Sequence, residues 1–201
     1  MSAQDSNALE FSRSFARLEQ ALAAHRPSFH ELDGFIPAAV VVLLWIEELE
    51  PYLLLIRRSK TLHIHPGEIA LPGGRKDPWD PHLRATALRE LQEEVGVKAS
   101  QARLLGRLDQ DFSFSGYSIA PFVCTVDSPP VFRPNKKEVM EILPMPLAHL
   151  RLEDFESEER WFLDRSIRSW RLETKYGPIW GATARILRGF SLFLKEHSIF
   201  P

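Results

Sequence analysis

One stretch constrains the fold more than any other: Phe35 to Ile46, twelve nearly apolar residues in a row with Pro37 near their start. A membrane-spanning helix needs about 20 such residues, so this run does not cross a bilayer. Val40, Val41 and Val42 are β-branched, and Pro37 suits the start of a strand rather than a helix interior. The run therefore reads as a strand buried on both faces, as strands are in sheets covered by other layers. Glu47 to Pro51 forms a polar turn, and Tyr52 to Ile56 a second strand paired with the first in a hairpin.

Ahead of the hairpin, Phe11, Phe15, Leu18 and Leu22 recur at spacings of four, three and four, one apolar helix face that Pro27 ends. Residues 1–34 are accordingly an N-terminal helical extension, and residues 35–201 one domain. Leu104 to Leu108 and Ile119 to Val126 read as further strands. Asp127 to Asn135 is a Pro-rich loop, Glu138 to Leu150 is mixed, Trp161 to Trp180 is strand-rich, and Thr183 to Leu194 is a closing amphipathic helix. Helix and strand alternate, which places the chain in the α/β or α+β class.

Composition narrows the function. The chain has 201 residues, 44% hydrophobic and 26% charged, enough for a large core without disulfide or metal staples. Lys plus Arg total 25 against 27 for Asp plus Glu, so the basic excess of a general nucleic-acid or anionic-membrane binder is missing. Cys124 is the only cysteine beside seven histidines, which excludes an internal disulfide and a zinc finger and fits a reducing compartment. Met1 to Glu10 carries neither the basic start nor the apolar core of a signal peptide, so the expected location is cytoplasmic.

The chemistry is concentrated between Gly73 and Gly96. Arg57 to Pro81 contains Pro66, Gly67, Pro72, Gly73, Gly74 and Pro78 and reads as a long irregular loop, the kind that carries function. A helix follows from about Pro81 to Val95, with Asp80 as its N-cap, Pro81 at the first helical position and Gly96 as its left-handed stop. At roughly 100° per residue, Glu90, Glu93 and Glu94 share an arc, while Leu88, Leu91 and Val95 form the adjoining arc that anchors the helix to a sheet. Like charges at i,i+4 cost a helix a few tenths of a kcal/mol. Three carboxylates on one stripe gain a purpose around hard divalent cations, which prefer oxygen ligands. The competing reading is a solvated Glu-rich face. Pro72-Gly73-Gly74, just ahead, brings bare backbone close to a ligand.

Gly73-Gly74, then Asp80, then Arg89-Glu90-Leu91-Gln92-Glu93-Glu94-Val95-Gly96-Val97 resembles the Nudix box: Gly, five residues, Glu, seven residues, Arg-Glu-apolar-x-Glu-Glu-x-Gly-apolar. Asp80 stands where Glu is usual, and eight residues rather than seven separate it from Arg89. Both departures recur in the coenzyme A pyrophosphatase branch. That branch is also similar at Leu54 to Ser59, Pro66-Gly67-Glu68, Ser115-Gly116-Tyr117 with Pro121, Glu138-Val139, Met145-Pro146-Leu147 and Trp180-Gly181-x-Thr183-Ala184.

The resemblance implies an α/β/α sandwich with a mixed sheet and hydrolysis of a nucleoside diphosphate linked to another group X. It implies Mg²⁺ or Mn²⁺ held by Glu90 and Glu94, with Glu93 adjoining and the Gly73 carbonyl as a further ligand. Glu90 is alternatively the general base, Glu138 is a further metal ligand or the base, and Arg89 orients the glutamates; for Glu138, an ordinary surface glutamate is an equal reading. Arg57, Arg58, His63 and Gly74 are the candidate substrate contacts. His65 is expected in structural or substrate contacts, and Phe112, Phe114 and Tyr117 either stack on a base or pack the loop. His63 stands where the branch usually has Arg, Glu68 where it has Gln, and Leu71 where it has Phe. The first expected substrate is coenzyme A or a derivative, cut to 3′,5′-ADP and phosphopantetheine. ADP-ribose or a nicotinamide dinucleotide is the alternative, and a non-catalytic module that only binds ligand is the third. The expected partner is a small nucleotide-derived molecule, not nucleic acid or membrane, and a homodimer is compatible with the sequence.

Overall fold

The Val-rich run becomes strand β1 (Ile36–Glu47), and its side chains divide between two cores. Val41, Leu43 and Trp45 face one way; Ala38, Val42 and Leu44 face the other, and all are 5% exposed or less. This period of two, with both faces apolar, is why the run shows no alternation in sequence. The computed structural model describes residues 3–30, 33–162 and 165–200.

Strand β1 pairs in parallel with β7 (Tyr117–Thr125), from Ile36 opposite Tyr117 to Leu44 opposite Thr125. On its other edge it pairs antiparallel with β2 (Glu50–Arg58) at one end and with β4 (Gly73–Arg75) at the other. The full sheet has eight strands, ordered β3 (Ile69–Ala70), β2, β1, β7, β5 (Arg103–Arg107). Within it β4 lies on β1, β6 (Asp111–Phe112) on β7 and β8 (Val139–Pro146) on β2. Helix α2 (Leu83–Val95) buries Ala87, Leu91 and Val95 against the Val41 face, with Leu88 packed alongside. Helices α1 (Ala3–Ala24) and α3 (Gly181–Glu196) cover the opposite face through Phe15, Leu18, Leu22, Leu187 and Phe190. The result is the expected α/β/α sandwich around a mixed sheet. A separate three-stranded antiparallel sheet, β11 (Gly177–Trp180), β10 (Arg165–Thr174), β9 (Phe155–Phe162), packs beside α3. It accounts for the strand-rich stretch, within which residues 163–164 lie outside the described residues. Among the described residues no helix is long and apolar enough to cross a membrane.

Several local expectations change. The first hairpin has a two-residue turn, Glu48 and Leu49 at φ 50° and 64°, so both strands run longer than the polar residues imply. Twist-matched two-residue turns require positive φ, usually supplied by Gly or Asn, which is why Glu-Leu gives no signal. The long loop contains β3 and β4, too short to show a period. Helix α2 begins at Leu83 rather than Pro81, with His82 as its N-cap: His82 Nδ1 accepts from Ala85 N–H at 3.1 Å. Gly96 closes the helix as expected, at φ 78° with its N–H donated to Gln92 O. Cys124 is buried in the α2-side core, and burial pushes its thiol up to about 12, so it is inert packing.

The extension helix shares the main core. Leu18 is fully buried, and a Cβ on Gly106 of β5 would come within 2.6 Å of Leu22 Cβ, so α1 lies directly on the sheet. Leu18→Ala is expected to cost about 2–4 kcal/mol in urea unfolding. A loss below about 1 kcal/mol would show that α1 contributes little to the fold.

Candidate active site

Arg89, on α2, organises the acidic stripe. Its Nε and Nη2 donate to Asp80 at 3.1 and 2.9 Å, and Nη2 also reaches Arg75 O at 3.1 Å. Nη1 donates to Glu90 Oε1 at 2.9 Å and to Glu93 Oε2 at 2.8 Å. Asp80 is therefore an anchor for Arg89 rather than a helix cap. Hydrogen bonding to Arg89 holds its carboxyl down to about 2, and the Asp77 N–H, donated to Oδ2 at 3.0 Å, helps. Arg89 is in turn pushed above its ordinary value, first by Asp80.

This pair makes a pH prediction. A depressed folded-state value adds stability above the unfolded carboxyl's 3.8, and that stability is lost as pH falls through about 2. Wild type should exceed Asp80→Asn by about 1–2 kcal/mol at pH 6, and the gap should close toward pH 2. A gap independent of pH would mean that the ion pair is not its source.

Glu94 is the buried member of the stripe, at 2% exposure. Its Oε2 accepts the Gly73 N–H at 2.9 Å, and Arg58 Nη1 lies 3.8 Å from Oε1. Burial outweighs both and pushes the carboxyl up to about 8, with repulsion from Glu90 and Glu138 adding to the shift. Glu90 is raised too, first by burial, against Arg89 and with Glu93 and Glu138 opposing its charge. Glu93 is half exposed. The loop before β8 thus brings Glu138 into the field of Glu90 and Glu94. Its backbone is fixed by Ser59 N–H on Glu138 O at 2.7 Å and by Glu138 N–H on Asn135 O at 2.9 Å.

Among the described residues no three acidic, imidazole or thiol groups converge into a ready-made metal cage. The donor set nevertheless suits a hard divalent ion: every candidate ligand is an oxygen, and Glu90 and Glu94 repel each other, with carboxyls that stay raised despite Arg89 and Arg58 nearby.

A cavity of about 420 Å³ opens beside these residues, lined by Arg58, Gly73, Gly74 and Arg75 at the carboxylate side and by Leu71, Phe114, Ile119 and Trp180 elsewhere. His65, Glu68, Ser115 and Tyr117 also line it. Arg58 Nε is buried without a partner among the described residues, an unsatisfied donor in a cavity wall. Arg57, by contrast, donates to Glu141 at 3.0 Å and to Tyr176 O at 2.8 Å and does not line the cavity. His63 is exposed and also lies off its wall. Arg75, adjacent to Gly74 on β4, lines the cavity without having been singled out; its position after the glycine pair was the available signal. A second cavity, about 460 Å³ between Met145, His149 and Glu173 to Tyr176, touches none of the acidic stripe.

Residues 35–171 match the NUDIX domain. The chain is 40% identical over 148 residues to an uncharacterized Nudix hydrolase, NudL, of Yersinia enterocolitica, covering 69% of this chain and 72% of that protein. It is 35% identical over 175 residues to the NudL of Pectobacterium atrosepticum, covering 85% and 89%. A MutT/nudix family protein from Enterococcus faecalis superimposes with a TM-score of 0.50 at 16% identity, over 97% of this chain and 75% of that one, a likeness of fold. The acidic stripe on α2, the glycine pair against it and these matches together place the chain in the Nudix family, as a Nudix hydrolase.

Proposed function

We propose that the chain hydrolyses the diphosphate bond of a nucleoside diphosphate linked to a second group, with coenzyme A or a derivative as the first substrate class. The reading rests on one observation above others: buried Glu94 and half-buried Glu90, both with carboxyls raised by burial despite a nearby arginine each, lie behind Gly73 and Gly74 in the wall of a cavity that also holds Arg58, whose Nε has no partner among the described residues.

Glu90 and Glu94 hold Mg²⁺ or Mn²⁺, with Glu93 and the Gly73 carbonyl as adjoining ligands. A bound divalent ion neutralises the diphosphate and lowers the pKa of the attacking water. Arg89 keeps Glu90 and Glu93 in place through its anchor on Asp80. Arg58 takes a phosphate oxygen with its free N–H. Glu90 or Glu138 accepts the proton of the attacking water; the water oxygen bonds to phosphorus and the bridging P–O bond breaks. From coenzyme A this gives 3′,5′-ADP and phosphopantetheine. The buried single cysteine fits a cytoplasmic enzyme.

Glu68 favours a second reading. A carboxylate in the cavity wall opposes an extra phosphate there, so ADP-ribose or a nicotinamide dinucleotide, which lacks the 3′-phosphate, remains a competing substrate. The deciding experiment compares kcat/KM for coenzyme A, acyl-coenzyme A, ADP-ribose, reduced nicotinamide dinucleotide and nucleoside triphosphates, each with Mg²⁺ and Mn²⁺. Coenzyme A should lead. A clear lead for ADP-ribose selects the second reading, and no metal-dependent turnover of any member rejects both.

A further inference from the structure

A hydrogen-bonded chain crosses one wall of the cavity. His65 Nδ1 lies 2.9 Å from Glu68 Oε1, and His65 Nε2 lies 3.0 Å from Ser115 Oγ, fifty residues away. Ser115 Oγ is 2.8 Å from Ser113 Oγ, which also accepts the Tyr117 N–H at 3.1 Å. The His65 ring stands edge-on to Trp180, with centroids 6.4 Å apart. His65 occupies the left-handed region at φ 56°, a conformation most side chains resist. Such strain persists only where surrounding contacts fix the residue. Here they tie three separate segments together: the loop after β2, the turn between β6 and β7, and the end of β11.

The consequence falls on Glu68. An ionised carboxylate only accepts hydrogen bonds, so His65 donates to it through Nδ1, while Nε2 bonds the Ser115 hydroxyl, which can donate or accept. One oxygen of Glu68 is thereby committed. Its Oε2 has no hydrogen-bond donor among the described residues. A long flexible side chain is thus held before binding with one acceptor unused, in a cavity that Ile64, Leu71, Phe114, Ile119 and Trp180 also line, with Arg58 and Arg75 lining it at the carboxylate side. Holding it in advance removes part of the ordering cost of recognition. Its negative charge disfavours a phosphate and favours an N–H group on an otherwise uncharged, apolar body.

We propose that the Glu68 side of this cavity takes an uncharged, N–H-bearing part of the substrate, the diphosphate lying toward Arg58, and that Glu68, positioned by His65 and Ser115, reads it. The proposal rests on the hydrolase reading above for the location of the diphosphate. The amides of a pantetheine arm and the amino group of a nucleobase share the required chemistry.

The test separates binding from turnover. Calorimetric titration of the whole metal-free chain uses pantetheine, adenosine and 3′,5′-ADP as probes, and coenzyme A turnover is measured in parallel. Glu68→Gln keeps the size and still accepts from His65, but turns its unused acceptor into a donor. His65→Asn tolerates the left-handed backbone yet reaches neither partner. Both variants should bind pantetheine, or adenosine if the base is what enters, about tenfold more weakly. The loss should appear in KM for coenzyme A rather than in kcat. Ser115→Ala should lose about threefold and Ser115→Thr, which keeps the hydroxyl, should recover it. Thermal melting confirms that each variant is folded.

Unchanged affinity and KM in Glu68→Gln would overturn the proposal. So would tighter binding of 3′,5′-ADP with pantetheine and adenosine unaffected, since Glu68 would then only repel charge. Wild type that binds a neutral probe in a Glu68-dependent way but cleaves no coenzyme A rejects that substrate and leaves the reader intact.

Discussion

Glu94→Gln is expected to abolish hydrolysis while making the metal-free protein more stable. The buried Glu94 carboxyl has its value raised from 4.5 to about 8, first by burial and then by Glu90 and Glu138. For a group raised in the folded state, the associated stability is complete below the unfolded value of 4.5 and is lost as pH rises through about 8. Metal-free wild type should therefore weaken across that window, whereas Glu94→Gln, having nothing to ionise, should not. Near pH 8 the variant should be more stable by a few kcal/mol, the order of magnitude that such a shift carries. Adding Mg²⁺ should stabilise wild type, increasingly so as pH rises, and leave the variant nearly unchanged, because a ligand that binds only the folded state stabilises it. Turnover at saturating metal should fall about 10²–10⁴-fold. Urea unfolding at pH 5 and pH 8, with and without metal, measures the first part. Wild-type turnover in the variant would remove Glu94 from the metal site, and equal metal-free pH slopes in both proteins would show that burial does not raise its carboxyl.

The same residue shows what was readable in the sequence. Glu90, Glu93 and Glu94 lie within one helical turn of one another, so their shared face follows from 100° per residue and needs no tertiary information. Gly96 as the end of α2 was equally local. Asp80 was not. A carboxylate just ahead of a helix has the chemistry of an N-cap, but Arg89, nine residues on, claims it, and the capping bond passes to His82. A long-range ion pair decided between two local possibilities, and no spacing rule weighs such a choice. Strand β1 was legible because burial on both faces writes a continuous apolar run; β3 and β4, two and three residues long, write nothing. The site divides in the same way. Its floor on α2 is local, but the cavity wall joins Glu68, Ser115 and Trp180 from three distant segments. Sequence alone offered His63 and His65 as a pair in one loop; the structure lines the cavity with His65 and leaves His63 exposed.

The neighbouring glycines should separate stability from catalysis. Gly73 sits at φ 153°, a conformation few side chains adopt. A Cβ there would collide with Ala39 O and come within 2.6 Å of Val40 Cα. Both belong to the backbone of β1, the centre of the sheet, and cannot give way without opening the β1–β4 pairing. Gly74 has no such φ, and the obstacle to its Cβ is the Glu90 carboxylate, with Cδ at 2.6 Å. That is the far end of a flexible side chain, which can rotate aside. Gly73→Ala should therefore lose about 3 kcal/mol or more of stability, the combined cost of backbone strain and overpacking. Gly74→Ala should melt within a few degrees of wild type yet lose about 10²-fold or more in kcat, because Glu90 is driven off its place beside Arg89. Thermal melting and turnover on the two variants, measured side by side, check the contrast. An active Gly74→Ala would mean that Glu90 need not occupy this position. A stable but inactive Gly73→Ala would move the constraint from the β1 backbone to the chemistry at Gly73 itself.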